Sequence, residues 1–212
     1  KPDAANSALF APAVIALLDL KNKDEAALIK AMHSKTRYNL KRAQQSDLKI
    51  DLGVGKKAQD DFERLLKTTA MRAGFKTHAA AHYRRVLAAF GERATIVTAS
   101  HHGVALAAVL IVFFGPRATY VHGGSSRDQS FLMAPYLTQW SAIKEAQRRG
   151  CIFYDFGGAT TDPQGAWAGL TRFKIRFGAT LIENKGVYEW VLRPRRLKLF
   201  QQLKKLRAVL KL

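Results

Sequence analysis

Residues 104–114 form an uninterrupted apolar run, and residues 95–99 and 117–121 flank it with β-branched and aromatic positions. His101-His102-Gly103 and Gly115-Pro116 separate the three runs, which therefore read as an antiparallel meander. Before the meander the period changes. Phe62, Leu65, Leu66 and Thr69 recur on one face of a 3.6-residue repeat, predicting an amphipathic helix over 58–73. Another helix fits 80–90. Asp24 and Glu25 open an earlier one, their charge suiting the free N–H groups of a helix start, and the helical pattern resumes over 36–45 after a break near Ser34. Residues 14–20, apolar except for Asp19, read as a strand, and 1–13 as a loop. Gly53 and Gly55 punctuate the chain. Beyond the meander, Pro135 suits the first turn of a helix over 134–149 and Gly150 its C-terminal end. Residues 151–156 predict a buried strand ended by Gly157-Gly158. A short helix over 167–177 stops at Gly178, and strands at 180–183 and 187–192 close the chain as a hairpin. The expected fold is α/β (α+β), a mixed sheet with flanking helices.

Composition adds one anomaly. The 212 residues suffice for one full domain and a fragment of another, but 35 Lys+Arg stand against 16 Asp+Glu, a net charge of +19. Polyanions are the expected partners: nucleic acid, anionic lipid or a phosphorylated substrate. A single cysteine excludes a disulfide framework and any zinc site needing two cysteine ligands. The uncharged stretch 103–116 is too short to span a bilayer as a helix. The chain opens on Lys1 without a signal-peptide pattern, and is expected to be a piece of something longer.

Most isolated motifs carry little chemistry. Gly53-Val54-Gly55-Lys56 lacks the upstream glycine of a phosphate loop and has Lys57 where Ser or Thr should hold magnesium. His78 and His82 are four apart but have no third ligand nearby in sequence, and Cys151 reads as a buried small hydrophobe. No Gly-x-Ser-x-Gly elbow occurs. Two basic segments say more. From 191 to 212 there are cations and no acid, with Phe200, Leu203 and Leu210 at helical spacing, which predicts a basic amphipathic helix facing a membrane surface, an RNA or the protein itself. The segment Lys35-Thr36-Arg37-Tyr38-Asn39-Leu40-Lys41-Arg42-Ala43 interleaves cations with an aromatic and suits phosphate pairing and stacking.

That segment resembles the Lys-Thr-Arg-Tyr-Asn-Ile-Arg-Lys-Ala stretch of the FemABX family, the aminoacyl-tRNA-dependent transferases that build peptidoglycan interpeptide bridges. Three further blocks follow in the family's order. They are Tyr120-Val121-His122-Gly123-Gly124-Ser125, then Ala134-Pro135-Tyr136-Leu137 with Trp140 and Ile143, then Tyr154-Asp155-Phe156-Gly157-Gly158 followed by Gly169-Leu170-Thr171-Arg172-Phe173-Lys174-Ile175-Arg176-Phe177-Gly178. The resemblance covers about 14–200. It implies an acyl-CoA N-acetyltransferase-like second domain over 34–190, a remnant of a first such domain with a linker helix over 1–33, and the basic helix over 191–212. The stretch Arg127-Asp128-Gln129-Ser130-Phe131-Leu132-Met133-Ala134 has no glycine of the pyrophosphate-binding type, which argues against CoA.

The chemistry implied by the resemblance is attack of a stem-peptide amine on the ester of aminoacyl-tRNA, the acceptor being a UDP-linked or lipid-linked muramyl-pentapeptide. It needs alignment and oxyanion stabilisation, with no metal or cofactor. The family's Phe-Lys pair matches Phe173 and Lys174: Lys174 beside the developing oxyanion, Phe173 against the aminoacyl or sugar end. Lys35, Arg37 and Arg172 are candidates for phosphates. Tyr38 is a candidate for stacking, Tyr83, Tyr120 and Tyr154 for pentapeptide or sugar contacts, and Asp155 for orienting the amine or capping a loop. Ala79, Ala80 and Ala81 depart from the family, whose members carry Arg and paired Tyr in that stretch. A cytoplasmic enzyme follows, with peripheral contact to anionic membrane at its inner face. The alternatives are a non-catalytic tRNA- or membrane-binding fragment and an N-acyltransferase with another activated donor.

Overall fold

The computed structural model describes residues 12–185 and 191–209, and of 204–209 the backbone alone. Residues 14–184 form one compact unit built on a seven-stranded sheet. Its strands are β1 (Val14–Asp19), β2 (Lys49–Gly53), β3 (Ala94–His101), β4 (Val104–Phe114), β5 (Arg117–Ser125), β6 (Phe153–Ala159) and β7 (Thr180–Glu183), in the order β2-β3-β4-β5-β6-β1-β7. Every neighbouring pair is antiparallel except β5 and β6. The helices are α1 (Glu25–Ala31), α2 (Ser34–Gln44), α3 (Lys56–Ala73), α4 (Ala80–Phe90), α5 (Ala134–Arg148) and α6 (Ala168–Ile175).

The unbroken apolar run of β4 follows from burial on both faces. Val109, Ile111 and Phe113 enter a core with Leu28 of α1, Leu40 of α2 and Trp140 and Ile143 of α5. Their alternates Ala108, Leu110 and Val112 meet Phe62, Leu65 and Leu66 of α3 and Leu87 of α4. The β3–β4–β5 meander is thus the middle of a covered sheet, and α5 is the crossover that joins the parallel pair β5 and β6.

Four elements differ from the sequence reading. β2 was not expected: it is an edge strand whose Lys49 and Asp51 are exposed, so it has little apolar signal. β1, which the resemblance assigned to a first-domain remnant, lies between β6 and β7 of this same sheet. β6 runs through Gly157 and Gly158 instead of ending there: Phe156 and Gly157 form a bulge, and Gly158 pairs on with Ile15 of β1. The expected strand at 187–192 lies largely outside the described residues, and Val191 and Leu192 are in no strand.

Residues 185–212 belong with 1–13 to a second unit, whose described part carries α7 (Pro194–Val209). The expected helix forms, but its faces are not segregated. Leu197 and Leu199 are two positions apart, hence on opposite sides, with Lys198 between them. Among the described residues no helix is long and apolar enough to cross a membrane.

Candidate active site

The parallel ladder of β5 and β6 is short: Arg117, Ala118 and Thr119 pair with Phe153, Tyr154 and Asp155. Beyond it, among the described residues, β5 pairs only with β4 and β6 only with β1. At this point β6 bulges, since Ile15 of β1 pairs with Gly158 and Leu17 with Asp155, so that two residues of β6 oppose Ala16. Gly157 takes the left-handed conformation the bulge requires, with φ 73°. The Asp155 carboxylate holds it, one oxygen accepting the Gly157 N–H at 2.7 Å and the other accepting from the Arg117 guanidinium at 3.1 Å. Asp155 is therefore a positioning residue for the backbone, the loop-capping option of the sequence reading.

Lys174 enters at this bulge. It is on α6, is 3% exposed, and its Nζ donates to the Gly158 carbonyl. The ammonium also lies 5.9 Å from the centroid of the Tyr120 ring. Among the described residues no carboxylate pairs with it, because Asp155 is already engaged with Arg117 and Gly157. Burial pulls its pKa from 10.5 down to about 8, against the nearby negative charge of Asp155, which raises it. Burial pushes the Tyr120 phenol up to about 12. Gly123 makes room for that ring: a Cβ there would stand 2.7 Å from the Tyr120 hydroxyl.

Phe173, adjacent in sequence, points elsewhere. Its ring is 5.4 Å from that of Tyr136 and 5.1 Å from Phe177. Phe173 and Tyr136, with Thr36, Gly169, Arg172 and Arg176, line a cleft of about 290 Å³. The His33 N–H before α2 donates to the Arg176 carbonyl that closes α6, at 2.9 Å, and ties these two elements together. The expected site residues thus divide between a buried seam (Tyr120, Asp155, Lys174) and an open cleft (Arg172, Phe173). Thr36, Tyr136 and Arg176 were missed as cleft residues. The signal was available in Arg172 and Arg176, four apart with no acid on their helix.

Several candidates fall outside both. Tyr154 is fully buried against Phe156, its hydroxyl accepting from Gln139 at 2.6 Å, so it is core and not a substrate contact. Tyr83 is 3% exposed in the α3/α4 core, edge-on to Phe62, its hydroxyl accepting the His78 N–H. Arg37 was expected on a phosphate, but one guanidinium nitrogen donates to the carbonyls of Met32 and Lys30, satisfying the end of α1. Lys35 and Tyr38 are exposed on α2.

On the α3/α4 side His122 of β5 comes within 6.0 Å of His78, whose ring is 4.2 Å from His82. Sequence spacing concealed this neighbour, although among the described residues no three such groups are gathered as a metal requires. Burial, then the charges of His78 and His82, hold the His122 pKa down to about 4. A folded value below the unfolded 6.5 means that protons bind the unfolded chain better. Stability should therefore fall as pH drops from 6.5 towards 4. Thermal melts at pH 7.5 and 4.5 should show a smaller loss for His122→Gln than for the parent chain.

Comparisons with known proteins bear on this geometry. The FemAB family model matches residues 5–103 and again 97–205. A lipid II:glycine glycyltransferase of Staphylococcus aureus is 32% identical over 104 residues, 48% of this chain and 25% of the relative. That of Staphylococcus haemolyticus is 32% identical over 113 residues, 52% of this chain and 27% of the relative. This chain therefore matches about a quarter of the length of these curated relatives. The crystal structure of FemX superposes with a TM-score of 0.80 at 17% identity, covering 89% of this chain and 64% of that one. A tandem acetyltransferase-fold protein from the clavulanic acid pathway gives 0.53 at 12%, covering 82% and 54%. The fold is shared with FemX and acetyltransferase-like proteins, and the chain belongs to the FemAB family.

Proposed function

We propose that this chain carries the transfer site of an enzyme that moves an amino acid from aminoacyl-tRNA to the stem-peptide amine of a peptidoglycan precursor. The carrying observation is Lys174, a buried lysine at the bulged end of β6 that has no ion pair with an acid among the described residues. Burial of an unpaired ammonium is costly for folding and is common where a site needs a fixed cation. The amine attacks the ester carbonyl, and the Lys174 ammonium stabilises the oxyanion that forms. Collapse breaks the bond to the ribose oxygen and makes the amide, the proton lost by the amine ending on the released ribose hydroxyl. The names of the S. aureus and S. haemolyticus relatives support a lipid-linked acceptor and make glycine the first amino acid to test.

Donor dependence tests the reading. With a lipid-linked muramyl-pentapeptide acceptor and radiolabelled glycine, product should form from glycyl-tRNA and be abolished by ribonuclease. Ribonuclease-resistant transfer from glycyl-CoA would replace the tRNA reading with the other activated-donor alternative.

A further inference from the structure

The hydrogen bonds around Lys174 continue past it, to a pair of side chains that the transfer step does not touch. Lys174 Nζ donates to the Gly158 carbonyl, and Gly158 follows directly on the bulge at Phe156 and Gly157. Asp155 holds that bulge, one oxygen accepting from the Gly157 N–H at 2.7 Å and the other from Arg117 at 3.1 Å. β5 bulges beside it, since Ile111 pairs with Tyr120 and Leu110 with His122. A Cβ on Gly157 would stand 3.4 Å from the Tyr120 carbonyl, so the two bulges abut. Asp155 and Lys174 are both buried, whereas the Arg117 side chain is 43% exposed. Both Asp155 oxygens already have donors, so its charge reaches Lys174 through space, where it favours the ammonium against burial. The other ionisable groups of the neighbouring strands are engaged elsewhere. Tyr154 of β6 is bonded to Gln139, His122 of β5 faces His78 and Tyr83, and Asp19 of β1 is paired with Lys23. Arg172 of α6 and Arg176 at its end add only positive charge.

We infer that Arg117 and Asp155 are positioning residues of the transfer centre: Asp155 aims the Lys174 ammonium through the bulge and holds it charged, and Arg117 sets how much of that negative charge Lys174 feels. The inference rests on the oxyanion role of Lys174 proposed above. Arg117 opens β5 opposite Phe153, at the far end of the parallel ladder, so a half-solvated side chain tunes a buried cation. Removing the two partners should act with opposite sign. Without the Asp155 charge nothing offsets burial, and Lys174 releases its proton at lower pH. Without Arg117 the Asp155 charge is no longer shared, and Lys174 keeps its proton to higher pH. A pair that merely braced the backbone would show no such opposition.

The test is the Lys174 titration itself, followed by NMR in the 212-residue chain with isotope-labelled lysine. The Lys174 signal is identified by its absence from Lys174→Met, and the parent midpoint is expected at about 8. Asp155→Asn keeps an acceptor for the Gly157 N–H and deletes the charge, and should lower the midpoint by about one pH unit. Arg117→Gln should raise it. Transfer from glycyl-tRNA is compared as the ratio of variant to parent, which cancels the ionisation of the attacking amine. For Asp155→Asn this ratio should fall about fivefold at pH 8 and hardly at all at pH 6, as the charged fraction does. Midpoints that stay put, or move the same way in both variants, would overturn the inference and leave the pair a backbone brace. If Asp155→Asn does not fold, Arg117→Gln decides alone, and an unmoved or lowered midpoint there overturns it. Opposed midpoints with a transfer ratio that ignores pH would keep the pair's hold on Lys174 and remove its ammonium from the proposed function. A pH-dependent ratio with unmoved midpoints would do the reverse.

Discussion

Replacing Lys174 by Met should lower single-turnover aminoacyl transfer by about 10²–10³-fold, the typical loss for one oxyanion-stabilising group. The fold should not suffer. Met keeps most of the aliphatic stem that α6 buries, and it removes a cation whose folded pKa is about 8 against 10.5. That displacement biases the folded state toward the free amine by about 3 kcal/mol, so the charged form is a burden on folding at neutral pH. Between pH 8 and 10.5 the unfolded chain holds a proton that the folded chain has released, and stability should rise with pH across this window. Lys174→Met should match or exceed the parent melting temperature at pH 7 and lose that rise. An ordinary structural lysine predicts the opposite, a variant that melts earlier with transfer reduced only in proportion to unfolding. Near-parental transfer would remove Lys174 from the mechanism, and a loss explained entirely by weaker RNA binding would make it a donor contact.

The elements that were legible in sequence are those whose neighbours lie close along the chain. The β3–β4–β5 meander shows itself because each strand pairs with the next and the turns at Gly103 and Gly115 are short. α5 shows itself through Pro135 at its start and Gly150 just past its end. What depends on long-range register is hidden. β2 has only Ile50 and Leu52 to mark it, and β1 reaches its place between β6 and β7 through pairings of more than a hundred residues in separation. Asp155 is similar. Its spacing to Gly157 is visible, but the bulge exists only because Ala16 of β1 faces two residues of β6. Tyr83 and Tyr154 were candidates because a tyrosine hydroxyl suits either a ligand or a core partner. His78 and Gln139 are the partners here, and neither pairing has a sequence signature. The candidate site residues Phe173 and Lys174 came together from motif resemblance. It could not show that one lines a cleft while the other is buried in a seam.

Gly124→Ala should be the most damaging small substitution in the Tyr-x-x-Gly-Gly-Ser block. A Cβ at Gly124 would stand 2.4 Å from the carbonyl carbon and oxygen of Leu65 and from the Leu66 nitrogen. Those are backbone atoms of α3, buried where the helix lies on β5, and they cannot rotate away. Either α3 lifts from the sheet or β5 shifts, and both open the core of Phe62, Leu65 and Leu66. A cost of about 3 kcal/mol is expected, which for a chain of 212 residues lowers the melting temperature by roughly 6–12 °C. Gly123→Ala meets a different neighbour. Its Cβ would press on the Tyr120 ring and on Val109 Cγ1, which are side-chain atoms at 2.7–2.9 Å and not backbone atoms at 2.4 Å, so stability should fall less. Because that ring packs near the Lys174 ammonium, transfer should fall more than stability does. The pair of variants separates two demands on adjacent glycines: close approach of α3 at Gly124, and the placing of Tyr120 at Gly123. If Gly124→Ala melted within 2 °C of the parent chain, the contact between α3 and β5 would have to be looser than these distances allow.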